Sequence, residues 1–178
     1  MSKTAYCTPS RQHAVELTQR VQQIKTLDTN SGYLYALMCT HFADYCAIAL
    51  RENTLIGFVT AYPLPTQPAT LFVWQIGVCP KARGKGIARG LLNHIQNRPW
   101  FAHIREVQCT IDPLNPASRA LFTRWAQDLS GTLTEQPFFT ALELGAHHPP
   151  EPLISIALPE QPPTQPIEEH PHEYGYGY

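Results

Sequence analysis

The chain of 178 residues has little that would place it in a membrane or on nucleic acid. No apolar run reaches the roughly 20 residues that a membrane-spanning helix needs. Met1 to Pro9 holds no apolar core of a secretory leader, so a cytoplasmic protein is expected. The formal net charge is −1, which leaves no basic surface for nucleic acid or anionic lipid. The five cysteines (Cys7, Cys39, Cys46, Cys79 and Cys109) are scattered and form no C-x-x-C, so reduced thiols are expected in place of a disulfide framework or zinc site. His170 and His172 are too sparse to argue for a metal, and none is expected. Two phosphate-binding signatures are also missing. Gly77 and Gly84 are too far apart for a P-loop, and Gly86 follows Lys85 where Ser or Thr should bind Mg²⁺. Gly84, Gly86 and Gly90 miss the dinucleotide fingerprint by one residue.

What remains is a distinct unit over residues 70–95. Thr70-Leu-Phe-Val-Trp-Gln-Ile-Gly-Val-Cys79 reads as a buried strand, broken by Pro80 and by the glycines of Arg83-Gly-Lys-Gly86. Ile87, Leu91, Leu92 and Ile95 then recur at helical spacing. A strand, a Gly-rich turn and a helix aim several backbone N–H groups into one concavity at the positive end of a helix dipole, which is an anion site suited to phosphate. A turn rich in glycine for steric reasons alone is the plainer alternative.

Around this unit the chain reads as one domain over residues 1–158. Thr4–Cys7 is a short strand, residues 10–26 a helix, Leu27–Gly32 a polar turn, and Tyr33–Phe42 a second helix. Asp44–Leu50 and Leu55–Tyr62 form a hairpin, and Pro63–Pro68 is a Pro-rich loop. Ile104–Ile111 is a strand, Ala117–Asp128 a helix, and Phe138–Glu143 and Leu153–Leu158 two last strands. More than half of the seventeen prolines lie from Pro137 onward, and residues 159–178 are proline, acidic and polar residues without a core, so disorder is expected there. The order β-α-α-β-β-β-α-β-α-β-β is mixed α/β.

The segment Arg83-x-x-Gly86-x-Ala88 resembles the pyrophosphate loop of the GCN5-related N-acetyltransferases (GNAT), which bind acetyl-CoA, and the element order agrees with that fold. The resemblance implies a mostly antiparallel mixed sheet with two central strands splayed apart and flanking helices. Asn115-Pro-Ala-Ser-Arg-Ala-Leu-Phe122 is similar to the superfamily's N-x-x-(A/S)-x-x-L-(Y/F) segment. The implied cofactor residues are Ile76, Val78, Arg83, Gly84, Gly86, Ala88, Asn115 and Ser118, with the backbone of Ile76 to Val78 polarising the thioester carbonyl. Asn115 is equally well placed as a helix N-cap. Many relatives carry, at the position of Phe122, a Tyr that protonates the leaving thiolate. Phe122 cannot donate, so another Tyr, a Cys or water is needed, or the thiolate leaves unprotonated.

Longer stretches narrow the resemblance. Leu27-Asp-Thr-Asn-Ser-Gly-Tyr33, Leu37-Met-Cys-Thr-His-Phe-Ala-Asp44, Gly57-Phe-Val-Thr-Ala-Tyr62 and Gln67-Pro-Ala-Thr-Leu-Phe-Val-Trp-Gln75 look like the L-2,4-diaminobutyrate acetyltransferase family, apart from Gly32 where that family usually has Pro. The family makes N4-acetyl-L-2,4-diaminobutyrate, the precursor of the compatible solute ectoine, and is typically homodimeric. It implies a small amine as substrate, with Asp28, Tyr33 and Trp74 binding it. His148-Pro-Pro-Glu151 resembles the family's C-terminal H-x-x-E, with His147 leaving the histidine's register open by one residue; Glu151 would bind or deprotonate an amine and His148 assist. From the residues alone, Asp28 is as good a turn cap, Tyr33 as good a core aromatic, and Glu151 as good a solvated loop residue. Strand alternation puts Val73 and Gln75 on the face opposite Trp74. His41 and Asp44 are open between structure and catalysis. An acetyltransferase for another small diamine or amino acid, and a non-catalytic CoA-binding module with a partner-recruiting tail, are the competing functions.

Overall fold

The computed structural model describes residues 3–24, 27–145 and 149–159. The N-terminal strand β1 (Ala5–Cys7) leads through a short 3-10 turn to α1 (Ala14–Gln23) and α2 (Gly32–Met38). Then come β2 (Ala47–Arg51), β3 (Thr54–Leu64), β4 (Gln67–Val78), α3 (Ile87–Gln96), β5 (Glu106–Thr110) and α4 (Pro116–Asp128). The described residues end with β6 (Thr132–Phe139), a one-turn α5 (Ala141–Leu144) and β7 (Glu151–Ala157). Among the described residues the seven strands form one sheet in the order β1-β2-β3-β4-β5-β7-β6. Only β4 and β5 run parallel, joined by the α3 crossover; every other pairing is antiparallel.

Helices cover both faces. On one, α1 and α2 bury Leu17, Val21, Ile24 and Tyr35 against Ile48, Leu55 and Phe58. On the other, α3 lays Ile87, Leu91, Leu92 and Ile95 on Ala47, Ala49, Val59 and Ala61, with Phe122 and Trp125 of α4 beside them. The four apolar residues of α3 follow the spacing read from the sequence, and each fully buried side chain of this size contributes about 1.5–3 kcal/mol.

Three expected elements differ. The Pro63–Pro68 loop contracts to a turn at Pro65-Thr66, because Pro63 sits beside a register irregularity and Pro68 at the start of β4, where a missing N–H is tolerated. The strand expected at Phe138–Glu143 lies earlier, at Thr132–Phe139. It is an edge strand with mostly exposed side chains, so no apolar alternation marks it. Thr140-Ala-Leu-Glu143 instead forms a capping box, the Glu143 N–H donating to Thr140 Oγ1 (3.3 Å) and the Thr140 N–H to Glu143 Oε2 (2.8 Å), which starts α5. The second helix stops at Met38, short of Phe42. Residues 160–178, expected to be disordered, and the candidate His148 lie outside the described residues.

Candidate active site

The site begins where β4 and β5 part. They pair only over Thr70–Phe72 and Glu106–Gln108. Beyond that, β4 continues beside β3 and β5 beside β7, with no β4–β5 pairing among the described residues. A cavity of about 200 Å³ occupies the gap, walled by Val73 to Ile76 on one side and Cys109 to Asp112 on the other. A longer groove of about 550 Å³ runs past Ile76 to Val78, the Arg83–Ala88 turn and the first two turns of α4. The two spaces share Leu27, Ile76, Asn115 and Ser118.

The groove fits a pyrophosphate-bearing cofactor. Gly84 and Gly86 both have φ +72°, a left-handed conformation that glycine adopts freely, and a Cβ built on either would meet nothing within 4 Å. Both line the groove, and the ten-residue α3 starts directly after Gly86, so its N-terminus lies at the turn. Arg83 Nε donates to the Val78 carbonyl (3.3 Å), bracing the turn against the end of β4. The Cys79 N–H donates to Ile56 O on β3 (2.9 Å), so by strand alternation the amides of Ile76 and Val78 face the other way, into the gap. Asn115 Oδ1 accepts the Ser118 N–H (3.1 Å) and caps α4, and Pro116 takes the first helical position. Asn115 is therefore both cap and cavity wall.

The cavity is acidic. Asp28, Asp112 and Glu151 line it, and no Lys or Arg is among its described lining residues. Glu151 opens β7, beside β5, and the Thr110 hydroxyl of β5 donates to its Oε2 in a short hydrogen bond. Asp112 Oδ1 accepts the Leu114 N–H (2.8 Å), shaping the loop before α4. Cys109 also lines the cavity; burial pushes its thiol far up, so it stays neutral and is a weak acid. Phe122 forms part of the apolar floor and packs edge-on to Trp125, and no tyrosine is among the described residues that line the cavity.

Trp74 and Gln75 depart from simple alternation. Thr60 pairs with Gln75 but Ala61 with Val73, so Trp74 is the extra residue of a β-bulge. The bulge turns Gln75 to the α1–α2 face, where Trp74 already packs, while Ile76 and Val78 join Val73 on the α3 side. Gln75 thus shares a face with Trp74, contrary to the expectation from alternation. Tyr35 lies over both: its ring stacks on Trp74 (centroids 6.1 Å apart) and its hydroxyl donates to Gln75 Oε1 (2.9 Å). Burial holds that hydroxyl above its ordinary range, so it is a donor at neutral pH.

The structure therefore gathers Asp28, Trp74, Ile76, Asn115, Ser118 and Glu151 at one cavity, and Val78, Arg83, Gly84, Gly86 and Ala88 along the adjoining groove. It does not bring Tyr33 there: Tyr33 is 74% exposed, because two residues along a helix turn it away from the side on which Tyr35 is buried. His41 and Asp44 line neither space, and the Asp44 carbonyl is taken by Arg98 and by Trp100 Nε1 (3.1 Å). Sequence reasoning missed Asn30, Thr110 and Asp112. Strand alternation could have paired Thr110 with a residue of the last strand only once the order of strands was known. No helix among the described residues is long and apolar enough to cross a membrane, and no three His, Cys, Asp or Glu residues there gather around a metal position.

A sequence profile of the acetyltransferase (GNAT) family matches residues 11–126. The chain is 40% identical over 157 residues to the L-2,4-diaminobutyric acid acetyltransferase of Bordetella parapertussis, spanning 87% of this chain and 84% of that one. It is 38% identical over 149 residues to the enzyme of the same name from Halomonas elongata, covering 83% and 78%. Among solved structures it is similar to the diaminobutyrate acetyltransferase EctA of Paenibacillus lautus in complex with its substrate L-2,4-diaminobutyric acid and coenzyme A, with TM-score 0.86, 32% identity, and 89% and 96% of the two chains covered. The ribosomal-protein-S18-alanine N-acetyltransferase of Escherichia coli, at 13% identity and TM-score 0.67 over 93% and 99% of the two chains, shares the fold.

Proposed function

Because the chain belongs to the acetyltransferase (GNAT) family and, within it, to the L-2,4-diaminobutyric acid acetyltransferases, we propose that it transfers an acetyl group from acetyl-CoA to the γ-amine of L-2,4-diaminobutyrate. The observation that carries this reading is an acidic cavity, with no lysine or arginine among its described lining residues, opening directly into a groove with a glycine cradle. The product is N4-acetyl-L-2,4-diaminobutyrate, the ectoine precursor.

Acetyl-CoA supplies the activated acyl group as a thioester. The chain's own residues do the rest. Gly84, Gly86 and the α3 N-terminus offer amides to the pyrophosphate, Arg83 adds charge, and Ala88, Asn115 and Ser118 line the groove where the pantetheine arm would run. The Ile76 and Val78 amides, turned into the gap, are placed to hydrogen-bond the arm and the acyl oxygen, where fixed donors favour developing negative charge. At neutral pH the diamine carries two ammonium groups and one carboxylate, and Asp28, Asp112 and Glu151 favour it over neutral amines. Its γ-ammonium must lose a proton before the nitrogen has a lone pair to attack with. Glu151 is the acceptor for that proton, directly or through water, with Thr110 fixing one of its oxygens. Trp74 forms an apolar wall, and Asn30 can donate to the substrate carboxylate. His148, three residues before Glu151, is assigned an assisting role on the motif alone.

Residues 1–158 make the catalytic unit in this reading, since the last strand ends at Ala157. A homodimer is supported by Phe138, Phe139 and Leu142, which leave apolar surface exposed along β6 and α5 for a second copy to cover. A cytoplasmic setting is supported by the five cysteines, all free thiols. A CoA-release assay with diaminobutyrate, ornithine, lysine and no amine tests the activity. Release is expected to be fastest with diaminobutyrate, for the full chain and for one ending at Pro159 alike; no amine-dependent release would refute the reading.

A further inference from the structure

We propose that Gln75 is a positioning residue that holds the Asp28–Asn30 loop over the amine cavity and so sets affinity for the diamine. This rests on the amine-acetyltransferase reading above. The bulge at Trp74 brings the Gln75 amide to the α1–α2 side, where it is 8% exposed. A buried amide left unpaired costs about 1–3 kcal/mol, so its partners define its place. Oε1 accepts from the Tyr35 hydroxyl (2.9 Å), and Nε2 donates to the Asp28 carbonyl (3.0 Å). The amide has one orientation here, because the Asp28 carbonyl only accepts. Asn30 is drawn into the same knot: its Nδ2 donates to the Asp28 carbonyl (3.3 Å) that Gln75 also holds.

The knot spans the wall of the cavity. Asp28, Asn30, Trp74 and Gln75 all line it, and Tyr35 does not. Tyr35 is fully buried behind them, stacked on Trp74. Glu151 stands on β7, across the splayed strands from the loop that carries Asp28. The link from the β4 backbone through Gln75 to Asp28 therefore fixes where the loop's carboxylate stands relative to the proton acceptor. For a substrate with two amines a set number of bonds apart, that spacing decides which diamine fits.

The position of Tyr35 makes the idea testable, because a change at its hydroxyl can reach the diamine only through Gln75 and the loop. The variants are Tyr35→Phe, Gln75→Met and the pair together, in the full chain. Calorimetry on the CoA-loaded protein gives Kd for diaminobutyrate, a separate titration gives Kd for CoA, and steady-state rates give kcat and KM. Each single change should raise Kd and KM for diaminobutyrate about tenfold, the order of one positioned hydrogen bond. The Kd for CoA and kcat should stay within about threefold, and discrimination against ornithine should shrink. The double variant should be no worse than the weaker single one, because both changes break the same link. An unchanged Kd for diaminobutyrate, additive losses, or an equal loss of CoA affinity would each overturn the proposal. If Gln75→Met does not fold, Tyr35→Phe, which keeps the ring on Trp74, decides alone. Wild-type protein that binds CoA but no diamine would instead refute the amine-acetyltransferase reading itself.

Discussion

Substituting Gly86 separates backbone strain from occupation of the cofactor groove. Gly86 has φ +72°, where an alanine costs about 1–2 kcal/mol. A Cβ there meets nothing within 4 Å, so no clash adds to that cost. For a chain of this length about 1 kcal/mol lowers Tm by roughly 2–4 °C, so Gly86→Ala should lower the Tm of the cofactor-free protein by roughly 2–8 °C. Asparagine visits the left-handed region more readily, so Gly86→Asn should lose less. Cofactor affinity should rank the other way. Gly86 lines the cofactor groove, and an added side chain takes space from it, asparagine more than alanine. Losing one charge-assisted hydrogen bond to phosphate costs about 1.5–3 kcal/mol, or roughly 10- to 100-fold in Kd for CoA. Scanning calorimetry of the cofactor-free protein should thus order the variants Gly, Asn, Ala, and titration with CoA should order them Gly, Ala, Asn. If both measurements give the same order, strain alone governs the turn and the cradle is wrongly placed.

Further changes probe the cavity and the core. Glu151→Gln should lower kcat by about 10²–10⁴ while Kd for CoA stays near wild type, and Thr110→Val should cost less, because it only frees one oxygen of the carboxylate; a Glu151→Gln enzyme with normal turnover would move the base elsewhere. Burial pushes the Cys39 thiol up to about 11 and the Cys46 thiol up to about 12, from an ordinary 9.0. The unfolded chain therefore releases these protons first. The stabilisation is whole below pH 9 and is lost as pH rises through the folded values, at about 1.4 kcal/mol per pH unit for each thiol. Urea midpoints should be insensitive to these groups up to pH 9 and fall steeply by pH 11, and a Cys46→Ala variant should show a shallower fall.

The parts legible in the sequence are those whose cause is local. The Arg83–Ala88 turn needs glycine at positive φ, α3 needs an apolar stripe, and α4 needs the Asn115 cap, and each requirement leaves its mark within a few residues. Glu151 was legible through a motif, but its partner Thr110 was not, because the two meet only when β7 inserts between β5 and β6. β6 was misplaced since an edge strand paired through its backbone needs no apolar alternation, and the capping box at Thr140 marked the true end of the strand more clearly than Phe138 and Phe139 did. The face taken by Gln75 was unreadable for a different reason. Strand alternation holds only without a bulge, and the one at Trp74 arises from how β4 registers on β3.

That bulge makes β4 two strands spliced out of phase. Up to Val73 the residues answer to one parity, and from Gln75 onward to the other. The amine wall and the cofactor-facing amides lie on opposite sides of the splice, so they can coexist on one strand. Such a strand carries one residue that its pairing with β3 does not need. Deleting Trp74 would restore a regular pleat in which Val73, Gln75, Ile76 and Val78 keep their present faces and partners on β3, and would remove only the indole from the cavity wall. The frame of the cofactor-facing amides is therefore set by the pairing of β4 on β3, and the one supernumerary residue serves the amine wall alone.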